Sequence, residues 1–264
     1  MQKQNTIAIG VLKRTLFYIA LIAAWELVYR IFVELFKIWK PYVFPSPVSV
    51  AETFIRLLDN NVLFIAIWAT TKRMVIGYLI SLLAGIILGL SIVKFGFLDR
   101  NLRPLILGFQ TLPSVCWLPF AILWYGLSEK AIIFVTAIGS LFSITLAVES
   151  GIKNVNPLYI KAAKTMGATG LRLYLNVIIP ASLPYVISGM KQGWSFAFRA
   201  LMAGEMLFAT KGLGQVLMVG RDLADMSQVI SVMIVTIVFG LVVEKAIFGP
   251  LENQIRLRWG LKNT

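Results

Sequence analysis

Between positions 188 and 199 lie five residues that could meet a charged solute: Ser188, Lys191, Gln192, Ser195 and Arg199. At about 100° per residue, Ser188, Gln192, Ser195 and Arg199 share one helical face. Lys191 sits at the edge of that face and Met202 continues it. Polar and cationic groups inside an apolar segment are costly, so they face a cavity or a partner. One reading is a pathway lining that favours an anion. The other is that both cations reach the membrane interfaces or pair with Glu205. Glu205 and Glu244 could likewise pair with cations or sit at interfaces. The chain holds no histidine. That excludes a Ser-His-Asp or Cys-His nucleophile, a histidine zinc site and a histidine proton relay. A single cysteine, Cys116, makes neither an intrachain disulfide nor a metal cluster. No Gly-x4-Gly-Lys-Ser/Thr phosphate loop occurs.

The elements that position these residues are apolar. Hydrophobic residues make up 58% of the 264 positions and charged ones 14%, against roughly 45–50% and about 25% in soluble domains. The surplus must face something other than water, and lipid accepts helices that are apolar all round. The net charge of +13 would suggest nucleic acid in a soluble protein. Here the basic residues fall between apolar runs, as orientation signals and contacts to anionic lipid, with no nucleic-acid partner expected.

Hydropathy predicts an all-α polytopic membrane protein of about six transmembrane helices. The runs are Thr15 to Phe36, Val75 to Val93, Pro104 to Trp124, Ala131 to Val148, Val177 to Met202 and Val229 to Phe248. The first is too long for a signal-peptide core and reads as a retained helix. Glu26, Arg30 and Glu34 on it have ion-pair spacing. Pro41 to Pro47 forms a rigid extended loop, and Val48 to Leu58 a short interfacial helix. Gly77, Ser81, Gly85 and Gly89 make a groove for close helix approach. Pro113 and Pro119 should kink or break the third run. Thr136, Ser140 and Ser143 lie along one side of the fourth. Glu205 to Ser227 reads as a glycine-rich, charged loop.

The lysine and arginine count favours both termini inside. That places Lys3, Lys13, Arg14, Lys94, Arg100, Arg103, Lys153, Lys161, Lys164, Arg172, Lys245, Arg256, Arg258 and Lys262 on the cytoplasmic side. Lys37, Lys40, Arg56, Lys72, Arg73, Lys130, Lys211 and Arg221 fall outside. The first outer loop is more basic than the rule favours.

The inner loop 149–180 is the most informative stretch. Pro157 suits a first helical turn, Gly167 and Gly170 punctuate it, and Pro180 and Pro184 mark entry to the fifth span. This predicts a short helix, a glycine turn, a second short helix and then a span. Lys161-Ala162-Ala163, Gly167, Val177, Ile179 and Pro180 match the spacing Glu-Ala-Ala, three residues, Gly, nine residues, Ile, one residue, Leu-Pro. On these residues the chain resembles the permease subunits of bacterial ATP-binding-cassette importers, with Lys161 replacing the glutamate. Phe44-Pro-Ser-Pro47, Thr70-x2-Arg73-x3-Gly77-Tyr78 and Leu112-Pro113 are similar to the nitrate/sulfonate/taurine subfamily.

The resemblance implies a type I importer-like transmembrane domain over residues 1–264, in the inner membrane of a bacterium. It implies a homodimer, cytoplasmic ATPase subunits and an extracytoplasmic solute-binding protein. ATP and Mg would sit on the ATPase partner and no cofactor on this chain. Lys161, Ala162, Ala163 and Gly167 would form the coupling surface, and the solute would be a small anion such as a sulfonate, taurine or nitrate. The alternative is an ion-coupled secondary carrier or channel, which needs mid-membrane ion sites. An intramembrane enzyme is disfavoured by the missing histidines and metal clusters.

Overall fold

Every regular element among the described residues is helical. The computed structural model describes residues 2–208 and 210–258, with side chains from Leu12 onward except at 256 and 258. Of the basic residues counted for orientation, Lys262 lies outside this range, as do the side chains of Lys3, Arg256 and Arg258. The chain divides into two compact units, Met1–Ile65 with Val216–Thr236, and Ala66–Gln215 with Ile237–Thr264.

The first unit begins with α1 (Gln2–Tyr29), which runs on through a π turn, Arg30–Leu35. Leu16, Phe17, Ile19, Leu21 and Ile22 of α1 are exposed, as suits a helix whose surroundings are lipid. The spacing of Glu26 and Arg30 yields the expected local pair, 2.8 Å apart. The short helix expected over Val48 to Leu58 is α2 (Pro47–Asp59). Ser46 caps it by accepting the Ser49 N–H at 3.1 Å, and Pro47 occupies a position whose N–H would be unpaired anyway. The buried Val50, Thr53 and Leu57 form its inner stripe.

Three long helices make the frame of the second unit. They are α3 (Val62–Lys94), α6 (Glu129–Lys153) and α9 (Ile179–Leu207). The small-residue row of α3 meets α6 in constant register. Gly77 faces Thr136, Gly85 faces Ile144 and Gly89 faces Val148, while Ser140 Oγ donates to Ser81 Oγ at 2.7 Å. Each pair is 59 residues apart in sequence, so α3 and α6 run parallel. On the other side, Gly189 of α9 meets Ala147, Gly193 meets Ile144 and Gly204 meets Ile132. Here one number falls as the other rises, so α9 is antiparallel to α6. Small residues let the backbones approach, which replaces the hydrophobic drive that lipid cannot supply between helices.

Parallel α3 and α6 require the chain to recross the frame between Lys94 and Glu129. The bent pair α4 (Gly96–Thr111) and α5 (Leu118–Tyr125) provides that crossing. Among the described residues, five helical segments are long and apolar enough to span a bilayer, and six if this pair, bent by 105°, is one span. The sequence predicted one run from Pro104 to Trp124. Instead the run is divided, because Pro113 offers no N–H and Leu112 before it is extended at φ −73°, ψ 129°. Pro119 causes no kink, since it falls in the first turn of α5, where an N–H needs no helical partner.

Two further expectations are corrected. The second span starts at Val62 rather than Val75. Its polar stretch Thr70–Arg73 is tolerated because Thr71 returns its hydroxyl to the Ile67 carbonyl at 2.7 Å and Thr70 and Arg73 find buried partners. The stretch from Glu205 to Ser227 is not simply a loop but holds α10 (Leu213–Asp222). After it comes α11 (Met226–Val243), a π turn over Glu244–Phe248 and α12 (Gly249–Arg258). Phe198 stacks on Phe239 with centroids 5.4 Å apart, and Trp194 meets Phe248 at 6.2 Å. The segment 237–248 therefore runs antiparallel to α9.

The α6–α9 seam has its tightest point at Gly189, where a Cβ would overlap the Ala147 side chain. Gly240 has open space instead. We expect Gly189→Ala to lower the thermal unfolding midpoint of the detergent-solubilised protein, by overpacking that costs about 1–3 kcal/mol. Gly240→Ala should leave the midpoint unchanged or raise it slightly.

Candidate functional site

One end of the second unit carries the predicted helix–turn–helix. It comprises α7 (Pro157–Thr165), a turn, α8 (Gly170–Leu173) and a π turn over Tyr174–Ile178 that leads into α9. Asn156 caps α7 by accepting the Leu158 N–H at 2.9 Å. Gly167 and Gly170 have φ of +84° and +54°, a region that L side chains rarely enter. Lys161, Ala162 and Gly167 are exposed, whereas Ala163 is half-buried and packs on the core. Met166 is 87% exposed at the tip, with Leu158 and Leu171 exposed beside it. An apolar tip among cations has no reason to face water unless something covers it.

The root of this turn is anchored by charge. Glu149, buried near the end of α6, meets Arg103 of α4 at 3.1 Å and Lys153 at 2.9 Å. Lys153 also meets Asp99 at 2.6 Å. α4 is thus pinned to the base of the turn at one end, and its other end is the break at Pro113.

At the opposite end of α3 and α6 lies a buried node that the sequence reading did not assemble. Glu205 is 0% exposed and Arg73 2%. Arg73 donates to Glu205 at 2.9 Å, to Glu129 at 2.7 Å and to the Lys211 carbonyl at 2.7 Å. Thr70 donates its hydroxyl to the Glu205 carboxylate and accepts the Leu213 N–H at 2.9 Å. The Gly214 N–H donates to Glu205 at 3.0 Å. The start of α10 is therefore capped by side chains from α3 and α9, a task usually done by a local Ser, Thr, Asp or Asn. Gly212 and Gly214 leave the room that the Glu205 carboxylate and side chain fill. The Thr70–Arg73 spacing was noted in the sequence, but its partner lies 132 residues away, beyond any local pattern. Arg73 is accordingly a neutralised interior residue, not the outer-loop charge expected from the charge count.

The polar face of α9 is present as predicted by spacing. Ser188, Gln192, Ser195 and Arg199 are exposed and Lys191 half-buried, opposite the packed Ile187, Gly193, Ala197 and Ala200. Lys191 meets Glu244 at 2.6 Å. Arg199 does not pair with Glu205, whose oxygens are taken up by the node. Its Nε donates to the Ser195 carbonyl at 3.2 Å, and its guanidinium lies 5.0 Å from the Phe196 ring centroid. Arg199 also edges a cleft of about 330 Å³ at the α4–α5 break.

Residues 81–247 match the family described as binding-protein-dependent transport system inner membrane component. A formylaminopyrimidine transport permease of Halalkalibacterium halodurans is 32% identical over 203 residues, covering 77% of this chain and 78% of that protein. The chain belongs to this family of importer permeases. A nitrate import permease of Leptolyngbya laminosa is 29% identical over 193 residues, covering 73% of this chain and 69% of that one. In fold, the permease is similar to a chain of the MetNI methionine ABC transporter in inward facing conformations. The TM-score is 0.65 at 18% identity, over 74% of this chain and 96% of that one. The chain is a membrane-spanning ABC permease with the type I importer fold, helical throughout its described elements, and its named relatives are transport permeases.

Removing one member of a buried ion pair leaves the other uncompensated, at roughly 3–5 kcal/mol. We expect Glu205→Ala to cause a larger loss of thermal stability than Glu205→Gln. The glutamine keeps acceptors for Thr70 and Gly214 while losing the charge that Arg73 meets. Equal loss in both variants would show that the charge, not the capping of α10, sets the stability of this node.

Proposed function

We propose that this permease imports a small anion and is driven by a separate ATP-hydrolysing subunit that grips the turn 157–173. The observation that carries this reading is the exposed turn itself, with Met166 at its tip and Gly167 held at φ +84°. ATP and Mg reside on that subunit, since the chain has no phosphate loop. Lys161, Ala162 and Gly167 form the contact surface, and Ala163 fixes α7 to the core beneath it. The turn faces the cytoplasm, which puts both termini inside and the Arg73–Glu205 node toward the outside. An extracytoplasmic binding protein delivers the solute. The exposed polar face of α9 is a poor surface for lipid, and a second copy of the chain would cover it while leaving a path between the two.

The relatives are named for solutes of different charge, nitrate and formylaminopyrimidine. An anion is favoured here because Arg199, on the polar face of α9, meets no acid among the described residues, whereas Lys191 at its edge is paired with Glu244. The docking groove is expected to be acidic. From Ser150 to Pro180 the chain carries Lys153, Lys161, Lys164 and Arg172 and no carboxylate, and Lys153 is already paired. Lys161 stands where the family pattern has glutamate, so the contact has reversed polarity.

The test is affinity purification of the tagged permease from its native membrane, with mass spectrometry of what accompanies it. An ATP-binding subunit should be recovered. Its retention should fall as salt rises, fall further in Lys161→Glu/Lys164→Glu, and vanish in Gly167→Pro at unchanged permease yield. Recovery of the permease alone, with uptake sustained by an ion gradient in ATP-free vesicles, would overturn the proposal.

A further inference from the structure

We propose that the cleft at the α4–α5 break is a binding station for a small oxyanion carried on a flat or apolar body. The inference rests on the importer reading and adds to it a place where the permease itself holds solute. The break leaves Leu112 and Pro113 outside any helix, and Phe109, Trp117 and Phe142 wall the space beside them. Phe109 lies 5.8 Å from Trp117 and 5.6 Å from Phe142 between ring centroids, with Trp117 edge-on to Phe109 and Phe142 tilted against it. Irregular backbone at membrane depth is tolerated where it lines a cavity, and broken spans are where transporters place their sites.

The charge on this cleft has one sign. Arg199 contributes the guanidinium, and no carboxylate lines the space. Three cations within the helical frame of this unit are met by acids: Arg73 by Glu205 and Glu129, Arg103 by Glu149, Lys191 by Glu244. Among the described residues Arg199 has only a backbone carbonyl and the Phe196 ring. A cation in a span without an acidic partner is costly, and an anion in the cleft removes that cost. The guanidinium keeps four N–H groups beyond its Nε, a fork suited to a planar or tetrahedral oxyanion. Gln110 and Ser114 line the same space, and neither side chain is spent on another group of the described protein. A volume of about 330 Å³ is at the small end for ligand pockets. It matches an anion of a few heavy atoms, with aromatic walls for its uncharged part.

Two sources could supply this chemistry, a dissolved solute or a lipid headgroup phosphate; the wall of three rings favours the solute. The test is calorimetric titration of the full chain in phosphatidylcholine nanodiscs, with benzenesulfonate, its neutral analogue benzenesulfonamide, and methanesulfonate as probes. Benzenesulfonate should bind, and benzenesulfonamide roughly tenfold or more weakly, as expected when a charge-assisted hydrogen bond is lost. Arg199→Gln should abolish that difference, Arg199→Lys should restore part of it, and Phe142→Ala should weaken benzenesulfonate more than methanesulfonate. Absent binding, or binding unchanged in Arg199→Gln, overturns the station. If phosphatidylglycerol nanodiscs abolish benzenesulfonate binding, the headgroup is the occupant and the solute assignment fails. These readouts need no partner, so co-purification of the ATP-binding subunit with no anion binding sinks only this inference. Anion binding, with no ATP-binding subunit recovered on affinity purification, sinks the docking reading instead.

Discussion

A guanidinium and a carboxylate cannot be left apart inside an apolar frame, and the joining of Arg73 to Glu205 organises one end of the permease. Each charge alone would face a desolvation cost of several kcal/mol. Together they are tolerable because Thr70, Glu129, the Lys211 carbonyl and the Gly214 N–H pair with the remaining oxygens and N–H groups, the buried Arg73 Nε excepted. That requirement fixes where α3, α6, α9 and the start of α10 must meet. It also explains why the polar stretch Thr70–Arg73 can sit inside a long apolar helix.

From this node the frame is propagated by size rather than by charge. Glycine and serine on α3, and glycine on α9, bring both helices against α6 at a distance where van der Waals contact is effective. A parallel α3–α6 pair then forces the chain back across the frame, and the segment that does so is the one interrupted at Leu112–Pro113. The break is therefore more than a local proline effect. It lies in the crossing that joins the two parallel helices, with one end held through Arg103 and Asp99 to the root of the turn 157–173. Charge pairs thus join the base of that turn to α4, and α4 ends at the cleft beside Arg199.

The sequence was most legible where the physics is local. Apolar runs announce spans because each residue adds its own transfer free energy. The helix–glycine–helix turn was readable because Pro157, Gly167 and Gly170 act through their own backbone angles. The polar face of α9 followed from period alone, since Ser188, Gln192, Ser195 and Arg199 needed no partner to share a side. Helix starts were misplaced where polar residues belong to a span, as at Thr70 to Arg73. A window average counts those residues as solvent-facing.

By itself the amino-acid sequence determined that this protein is a bundle of membrane helices with a helix–glycine–helix turn between two of them. Composition, periodicity and the angles of a few prolines and glycines suffice for that, while the likeness to importer permeases rested on the spacing of Ala162, Ala163, Gly167 and Pro180. Only the tertiary structure decided which carboxylate neutralises Arg73, that Lys191 has an acid partner and Arg199 has none among the described residues, and that one span is broken into a cleft. Those outcomes depend on groups 53 to 132 residues apart in the chain. No local spacing encodes which of several charges a folded helix will bring within 3 Å of another.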